Sequence, residues 1–419
     1  MIKRTVFNEL KEHLKQKEMT LITGPRQAGK TTLMLMLKEF LDKGGEKTVF
    51  LNLDIESDKH FFDSQENLVR KIGLEIGKSK GYVFIDEIQR KENAGLFLKG
   101  IHDMNLPYKF ILSGSGSLEL KEKIHESLAG RKRIFEVATL SFEEFVNFKT
   151  DYRYEAKLND FFDLEKEKMK AYLEEYMNFG GYPKVVLAEE FAEKKKVIDE
   201  IYRSYLEKDA SFLLGVKNLE AFGKLMKIIA AQTGNLVNVA ELSSTLDISM
   251  QTVNDYLWYL DKTFIIGKIT PYFKNIRKEI TKAPVYYFYD AGLRNYALDR
   301  FGGIKEPNDF GFLFQNLVYN ILKETIRFSS RKIHFWRTKD GAEVDFVIDD
   351  GNKIIPIEVK YSDLKKEEIT RSMRNFTAKY APRRAFVITP GFDKKTTLDD
   401  VEISFVAFYK LSGEILNLH

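Results

Sequence analysis

The chain has no cysteine among its 419 residues, and only six histidines and two tryptophans. Without thiols there are no disulfides and no thiolate zinc sites. The histidines are scattered and none is paired at ligand spacing, so a His-built zinc centre is excluded too. Long apolar runs are also missing: nothing approaches the roughly 18–20 residues needed to cross a bilayer. The N-terminus, MIKRTVFNELKEHLKQKE, is a charged amphipathic helix by pattern and not a signal peptide. A soluble, cytoplasmic chain without a membrane partner is expected. Charge of one sign is barely in excess, with a formal net of +4. Such mild basicity permits contact with nucleic acid without requiring it. There is no internal repeat and no low-complexity tract, and a chain of this length predicts two to four domains.

Against these absences stands one short motif. GPRQAGKT, Gly24 to Thr31, fits the Walker A pattern G-x-x-x-x-G-K-[ST]; MTLITG before it has the pattern of a strand and KTTLMLMLKEFLDK after it that of a helix. Glycines in such a loop let backbone N–H groups turn inward around phosphate oxygens, and the helix N-terminus adds its positive dipole. The motif predicts that Gly24, Pro25, Arg26, Gln27, Ala28, Gly29, Lys30, Thr31 and Thr32 hold ATP. Lys30 would reach the β- and γ-phosphates and Thr31 would ligate Mg²⁺.

YVFIDEIQ supplies the second half of the site. Its apolar run ends in Asp86, placed to hold magnesium through water, and Glu87, placed as the base for the attacking water. Ser113, in FILSGSGS, either senses the γ-phosphate and orients that water or is a turn-forming serine. Arg131, in LAGRKRIF, is either an arginine finger or part of a solvated basic cluster with Lys132 and Arg133. A finger acting in trans would demand a homo-oligomer.

KTVFLNLD, GYVFIDEI, YKFILSGS and RKRIFEVATL are further predicted strands, and strands alternating with helices imply a parallel sheet covered on both faces. An added strand between the loop strand and the Asp–Glu strand, together with a catalytic Glu, points to the AAA+ and RecA-like branch of ATPases. ITGPRQAGKTTL, FIDEIQ, ILSGSGS and SLAGRKRIFEVATLSFEEF resemble the archaeal and bacterial AAA+-type ATPases that carry a C-terminal domain of unassigned function. The resemblance continues through GGYPKVV, YLEKDA, YYFYDAGLRNYAL and EVDFVI…IPIEVK, over nearly the whole chain. It implies ATP binding and hydrolysis.

Beyond the core, residues 155–215 have a helical pattern broken by Gly180, Gly181 and Pro183. Residues 220–282 predict three helices and then a strand pair in IIGKITPYFKNIRKEI, the order of a winged helix. The would-be recognition helix shows Gln251, Thr252, Asn254, Asp255 and Tyr259, with no base before Lys262. The hairpin carries Lys268, Lys274, Arg277, Lys278 and Lys282, so DNA contact through the wing's phosphate neutralisation fits better than base reading by the helix. A module that only links domains or binds protein is the alternative.

Last comes GAEVDFVIDDGNKIIPIEVKYS. A two-residue tip within DDGN would set residue 345 opposite 356 and gather Asp345, Glu358 and Lys360 on one surface. Two carboxylates beside a lysine could hold Mg²⁺ or Mn²⁺. The flanking order α-β-β-β-α-β resembles the PD-(D/E)xK nuclease core. Related proteins often have Glu on the opening helix where this chain has Gln315, an amide and a poorer cation ligand. The alternative is an inherited scaffold with polar residues along an exposed face.

The expected fold is α/β: a parallel-sheet P-loop ATPase core over residues 1–150, a helical lid over 151–215, a winged helix and connector over 216–300, and a nuclease-like α/β domain over 301–419. Two functions follow. One is a Mg²⁺-dependent AAA+ ATPase coupling nucleotide state to DNA binding and a nuclease-like domain. The other is a nucleotide-switched regulatory or signalling protein whose C-terminal domain is catalytically inactive.

Overall fold

The structure is a computed structural model that describes residues 2–115, 128–213, 215–273 and 282–417. Its N-terminal sheet contains β1 (Met19–Gly24), β2 (Thr48–Asn52), β3 (Gly81–Asp86), β4 (Tyr108–Ser115) and β5 (Lys132–Glu136). All pairings are parallel and the order is β2-β3-β4-β1-β5, so β4 lies between the loop strand and the Asp–Glu strand. Every position of β1 and β3 is buried. Alternation along the strands supplies both faces. Leu21, Val83 and Leu112 pack with Leu68, Ile72 and Ile101 on one side. Ile22, Phe84 and Phe135 pack with Leu33, Met34 and Leu37 on the other.

Where β1 ends, the chain passes hard against the segment leaving β5. Val137 N donates to Thr23 O at 2.7 Å. A Cβ on Gly24 would stand 2.1 Å from Val137 O, so only glycine fits there. Ser141 and Glu144 then start the helix Phe142–Lys149 with a reciprocal capping box. The helix Lys166–Phe179 stops at Gly180, φ 74°, and Pro183 opens the next short helix, as the GGYP pattern predicts.

Three helices, Leu219–Ala231, Val239–Leu246 and Met250–Lys262, follow, capped by Asn218, Asn238 and Ser249. β6 (Ile266–Pro271) then pairs antiparallel with β7 (Val285–Phe288). The second strand of the pair therefore falls later than the sequence pattern placed it. Lys274, Arg277 and Lys278 lie outside the described residues.

After the helix Pro307–Ile326 come β8 (Lys332–Arg337), β9 (Glu343–Asp349), β10 (Ile354–Val359), β11 (Arg384–Thr389), β12 (Lys394–Leu398) and β13 (Val401–Ala407). β6 pairs in parallel with β8, Thr270 facing His334. Among the described residues eight strands thus form one sheet, β12-β13-β11-β10-β9-β8-β6-β7. It runs across the boundary expected at residue 300. The helices Phe142–Lys149 and Leu158–Leu164 share its core, with Phe142 against Phe408 at 5.2 Å and Phe162 against Tyr409 at 4.9 Å between ring centroids. No helix among the described residues is long and apolar enough to cross a membrane.

Candidate functional site

The loop after β1 is built on left-handed backbone at Gln27, φ 58°, and Gly29, φ 94°, and the helix Lys30–Lys43 begins at once. Its N-terminal N–H groups have no intrahelical partner, which makes the loop an anion cradle by construction. Lys30 is folded into it: Nζ donates to Gly24 O at 3.1 Å and to Pro25 O at 2.7 Å. Burial pushes this ammonium down to about 8, against the pull of Glu87 and Asp209. An ammonium held by two carbonyls, in a pocket that disfavours its charge, is poised to take a better anionic partner.

Asp86 is 1% exposed at the end of β3 and organises the rest. Its Oδ2 accepts from Thr31 Oγ1 at 2.7 Å. Its Oδ1 accepts from Ser113 Oγ and from the backbone N of Glu87 at 3.1 Å. Thr31, Asp86, Glu87 and Ser113 are therefore brought together from three elements. Glu87 has φ 56°, a rare conformation for a residue with a side chain. Burial raises its pKa, opposed by Lys30, and Gln89 Nε2 donates to its Oε2. Thr32 is exposed on the first turn of the helix and Ala28 is fully buried beneath the loop.

The residues fit a nucleotide triphosphate with magnesium. Buried Arg26 Nη2 and Gln27 Oε1 lack a partner among the described residues. Thr31 and Asp86 form a hydroxyl–carboxylate pair suited to a hard cation and its water.

Arg131 is not part of this assembly. Its carbonyl accepts from Met19 N at 2.9 Å, at the start of β1, whereas the loop follows the end of β1. Its guanidinium donates to Asp103 at 3.0 Å. Within one chain a whole strand separates Arg131 from the loop, a placement that suits the alternative of a basic cluster before β5.

Three groups that sequence reasoning passed over do reach the loop. Arg4 donates to Ala28 O at 3.0 Å and to Ala138 O at 2.7 Å, with Glu144 as its counter-charge at 3.0 Å. Asp209, in the π-helical segment Tyr205–Leu213, takes the Nε of Arg26 on both carboxylate oxygens at 2.7 Å. Pro183 stands beside Gly29, 3.9 Å from where a Cβ would be. YLEKDA and GGYP stood out in the sequence, and they carry Asp209 and Pro183. GGYP also meets the motif YYFYDAGLRNYAL, Asp290 Oδ2 accepting from Gly181 N at 2.8 Å.

In the terminal domain, β9 and β10 are joined by a loop over residues 350–353, and Ile357 faces Phe346. Continued by one step, this register sets Glu358, not Pro356, opposite Asp345. The expected parity holds while the expected tip does not. Both oxygens of Asp345 are occupied: Oδ1 accepts from Gln315 Nε2 and Oδ2 from Val359 N, each at 2.7 Å. Burial, with Glu358 and Glu343 nearby, pushes its carboxyl up to about 7. Glu358 is 5% exposed, also raised by burial; Oε1 accepts from Thr370 Oγ1, and Oε2 is buried without a hydrogen-bond partner among the described residues. Lys360 turns its ammonium to Glu368 O at 3.0 Å.

With both oxygens of Asp345 engaged and Lys360 turned away, these side chains do not converge on one cation position. Among the described residues no three acidic, His or Cys side chains form a cation cage. The amide of Gln315 fills the side of Asp345 that a third carboxylate would have to share.

On the opposite flank, Gln251 of the third helix donates to Asp255 at 2.9 Å, while Lys268 and Lys282 are exposed.

Comparison with known proteins finds relatives over most of the chain. An uncharacterized protein of Haemophilus influenzae is 23% identical over 93% of this chain and 93% of its own length. Uncharacterized proteins of Methanocaldococcus jannaschii and Mycobacterium tuberculosis are each 26% identical, over 98% and 97% of this chain and 91% and 83% of theirs. Among solved structures, the Aeropyrum pernix ORC1 protein in complex with DNA is similar with a TM-score of 0.30 and 12% identity, over 72% of this chain and 94% of that one. AMPPCP-bound DnaA from Aquifex aeolicus gives 0.26 and 12%, over 61% and 86%. Residues 170–302 and 310–409 match two family models described as domains of unknown function. Residues 16–146, which hold the loop, Asp86, Glu87 and Ser113, match a family described as an AAA domain.

Proposed function

We propose that this chain is a Mg²⁺-dependent ATPase of the AAA+ type whose nucleotide state is passed to the modules beyond residue 150. The observation that carries the reading is the network of Thr31, Asp86, Ser113 and Glu87, with Thr31 Oγ1 at 2.7 Å from Asp86 beside the loop. Lys30 leaves its loop carbonyls for the β- and γ-phosphates, and backbone N–H groups of Gly24 to Thr32 take the remaining oxygens. Thr31 and Asp86 would hold magnesium, which supplies neutralisation of phosphate charge when bound. Glu87, held by Gln89, orients and deprotonates the attacking water, and Ser113 fixes the Asp86 carboxylate. Arg26 ties the loop to Asp209, the first contact through which the nucleotide reaches the lid.

The division proposed is core 1–150, lid 151–215, winged helix 216–300 and terminal domain 301–419, the last two sharing a sheet. Within it the hairpin side, with exposed Lys268 and Lys282, contacts DNA phosphates. For the terminal domain the hydrogen bonding of Asp345 favours a binding role without cleavage. Catalysis by Arg131 would require a second copy of the chain.

The test is phosphate release from ATP with Mg²⁺. Lys30→Ala and Glu87→Gln should each lower turnover at least about 100-fold, consistent with the worth of such groups. Wild-type protein that releases no phosphate, or a Lys30→Ala variant as active as wild type, ends the proposal.

A further inference from the structure

Where β5, β6 and the end of the helix Pro307–Ile326 meet, a groove of about 680 Å³ opens. Ile134, Ile269 and Ile333 are among its apolar lining. Its polar lining is basic: Lys268, Lys323, Arg327, Arg331 and Lys332 face one carboxylate, Glu136. Arg327 is balanced by Glu9 and Glu324, and Arg331 donates to Ile415 O at 2.8 Å. The three lysines are exposed, and none is ion-paired with a carboxylate among the described residues. At the rim stands Phe328, 63% exposed. The guanidinium of Arg327 lies 4.4 Å from its ring centroid and that of Arg133 5.8 Å.

We infer that this groove binds single-stranded nucleic acid. The lysines supply cations along a path for the phosphate backbone, and Phe328 gives an unstacked base an aromatic face. Guanidinium groups against that ring keep it at the surface and add a planar cation to the stack. A duplex satisfies only half of this arrangement, because its bases are already stacked on each other. One wall is β5, the edge strand of the ATPase sheet, so the bound strand touches the AAA domain directly. The inference is independent of the ATPase reading and shares only Lys268 with the proposed duplex contact.

The experiment is fluorescence anisotropy on the full chain with a labelled 12-nucleotide single strand, as DNA and as RNA, and the matching duplex, at several salt concentrations. Expected is tighter binding of at least one single strand than of the duplex. Phe328→Ala should weaken it roughly 5- to 100-fold, with an unchanged salt slope. Lys323→Gln combined with Lys332→Gln should flatten the slope by about 1.4. Phe328 is exposed, so the variant's melting temperature should match the wild type. Lys282→Gln should reduce duplex binding alone, which separates failure of the duplex contact from failure of the groove. Single strands that do not bind, that bind no better than duplex, or that ignore Phe328→Ala would overturn the inference.

Discussion

Arg26 Nε donates to both carboxylate oxygens of Asp209 at 2.7 Å, across 183 residues of sequence. The pair is nearly buried, with Arg26 at 16% and Asp209 at 7% side-chain exposure. It joins the phosphate loop to the helical region with one charged contact. Removing one partner leaves the other charge buried, so Asp209→Ala should cost about 3 kcal/mol of stability. The double variant Arg26→Ala/Asp209→Ala should cost less than the sum of the two singles by roughly 1–3 kcal/mol. Urea denaturation of all four proteins measures this, and simple additivity would remove the link.

Lys30 loses its proton near pH 8 in the free protein because burial disfavours its charge. Polyphosphate binding favours the charged form, so above that pH binding must take up a proton. ATP affinity should be level below pH 8 and fall about tenfold per unit above it. Lys30→Arg stays charged and should lose this dependence. Isothermal titration between pH 7 and 9.5 distinguishes the two profiles.

Gln315 stands where a third carboxylate would complete a cation cage with Asp345 and Glu358. Gln315→Glu, in an Asp86→Asn background that empties the other metal position, should gain Mn²⁺ binding sensitive to Asp345→Asn. The parent with Gln315 should bind none there. Calorimetry that finds an Asp345-dependent manganese site already in the parent would refute this account of the terminal domain.

Asp345 ionises near 7 when folded, against an ordinary 3.8. Between these values the folded chain holds a proton that the unfolded chain has released. Stability from this group is therefore greatest at the acid end and declines as pH rises from about 4 to 7, by up to about 1.4 kcal/mol per unit. Glu358, also raised, acts in the same direction. Asp345→Asn should flatten that part of the stability curve, and an unaltered slope in pH-dependent denaturation would contradict it.

The loop, Asp86 and Glu87 were legible in sequence because their geometry is local: a strand end, a glycine turn and a helix start impose it within a few residues. Ser113 was half legible, since its strand was clear but its neighbour depended on the order β3-β4-β1. Arg131 stayed open between two readings because a basic residue before a strand carries no sign of which end of the sheet it occupies. In the Asp345 hairpin, strand parity fixed the face, whereas register depended on a loop length that DDGN left open. Arg26 and Asp209 lay beyond reach for a different reason. Nothing in either neighbourhood encodes a contact that exists only after the helices have folded back.

The parallel ladder between β6 and β8 has a practical consequence for dissecting the molecule. A cut at residue 300 looks clean in sequence, falling between two helices. It would bare the edge of β8 that faces β6 and the edge of β6 that faces β8, two templates for unwanted strand pairing. Fragments made there should precipitate rather than report on separate activities. A dissection that keeps that seam closed also has to keep the helices from Phe142 onward, which share the same core.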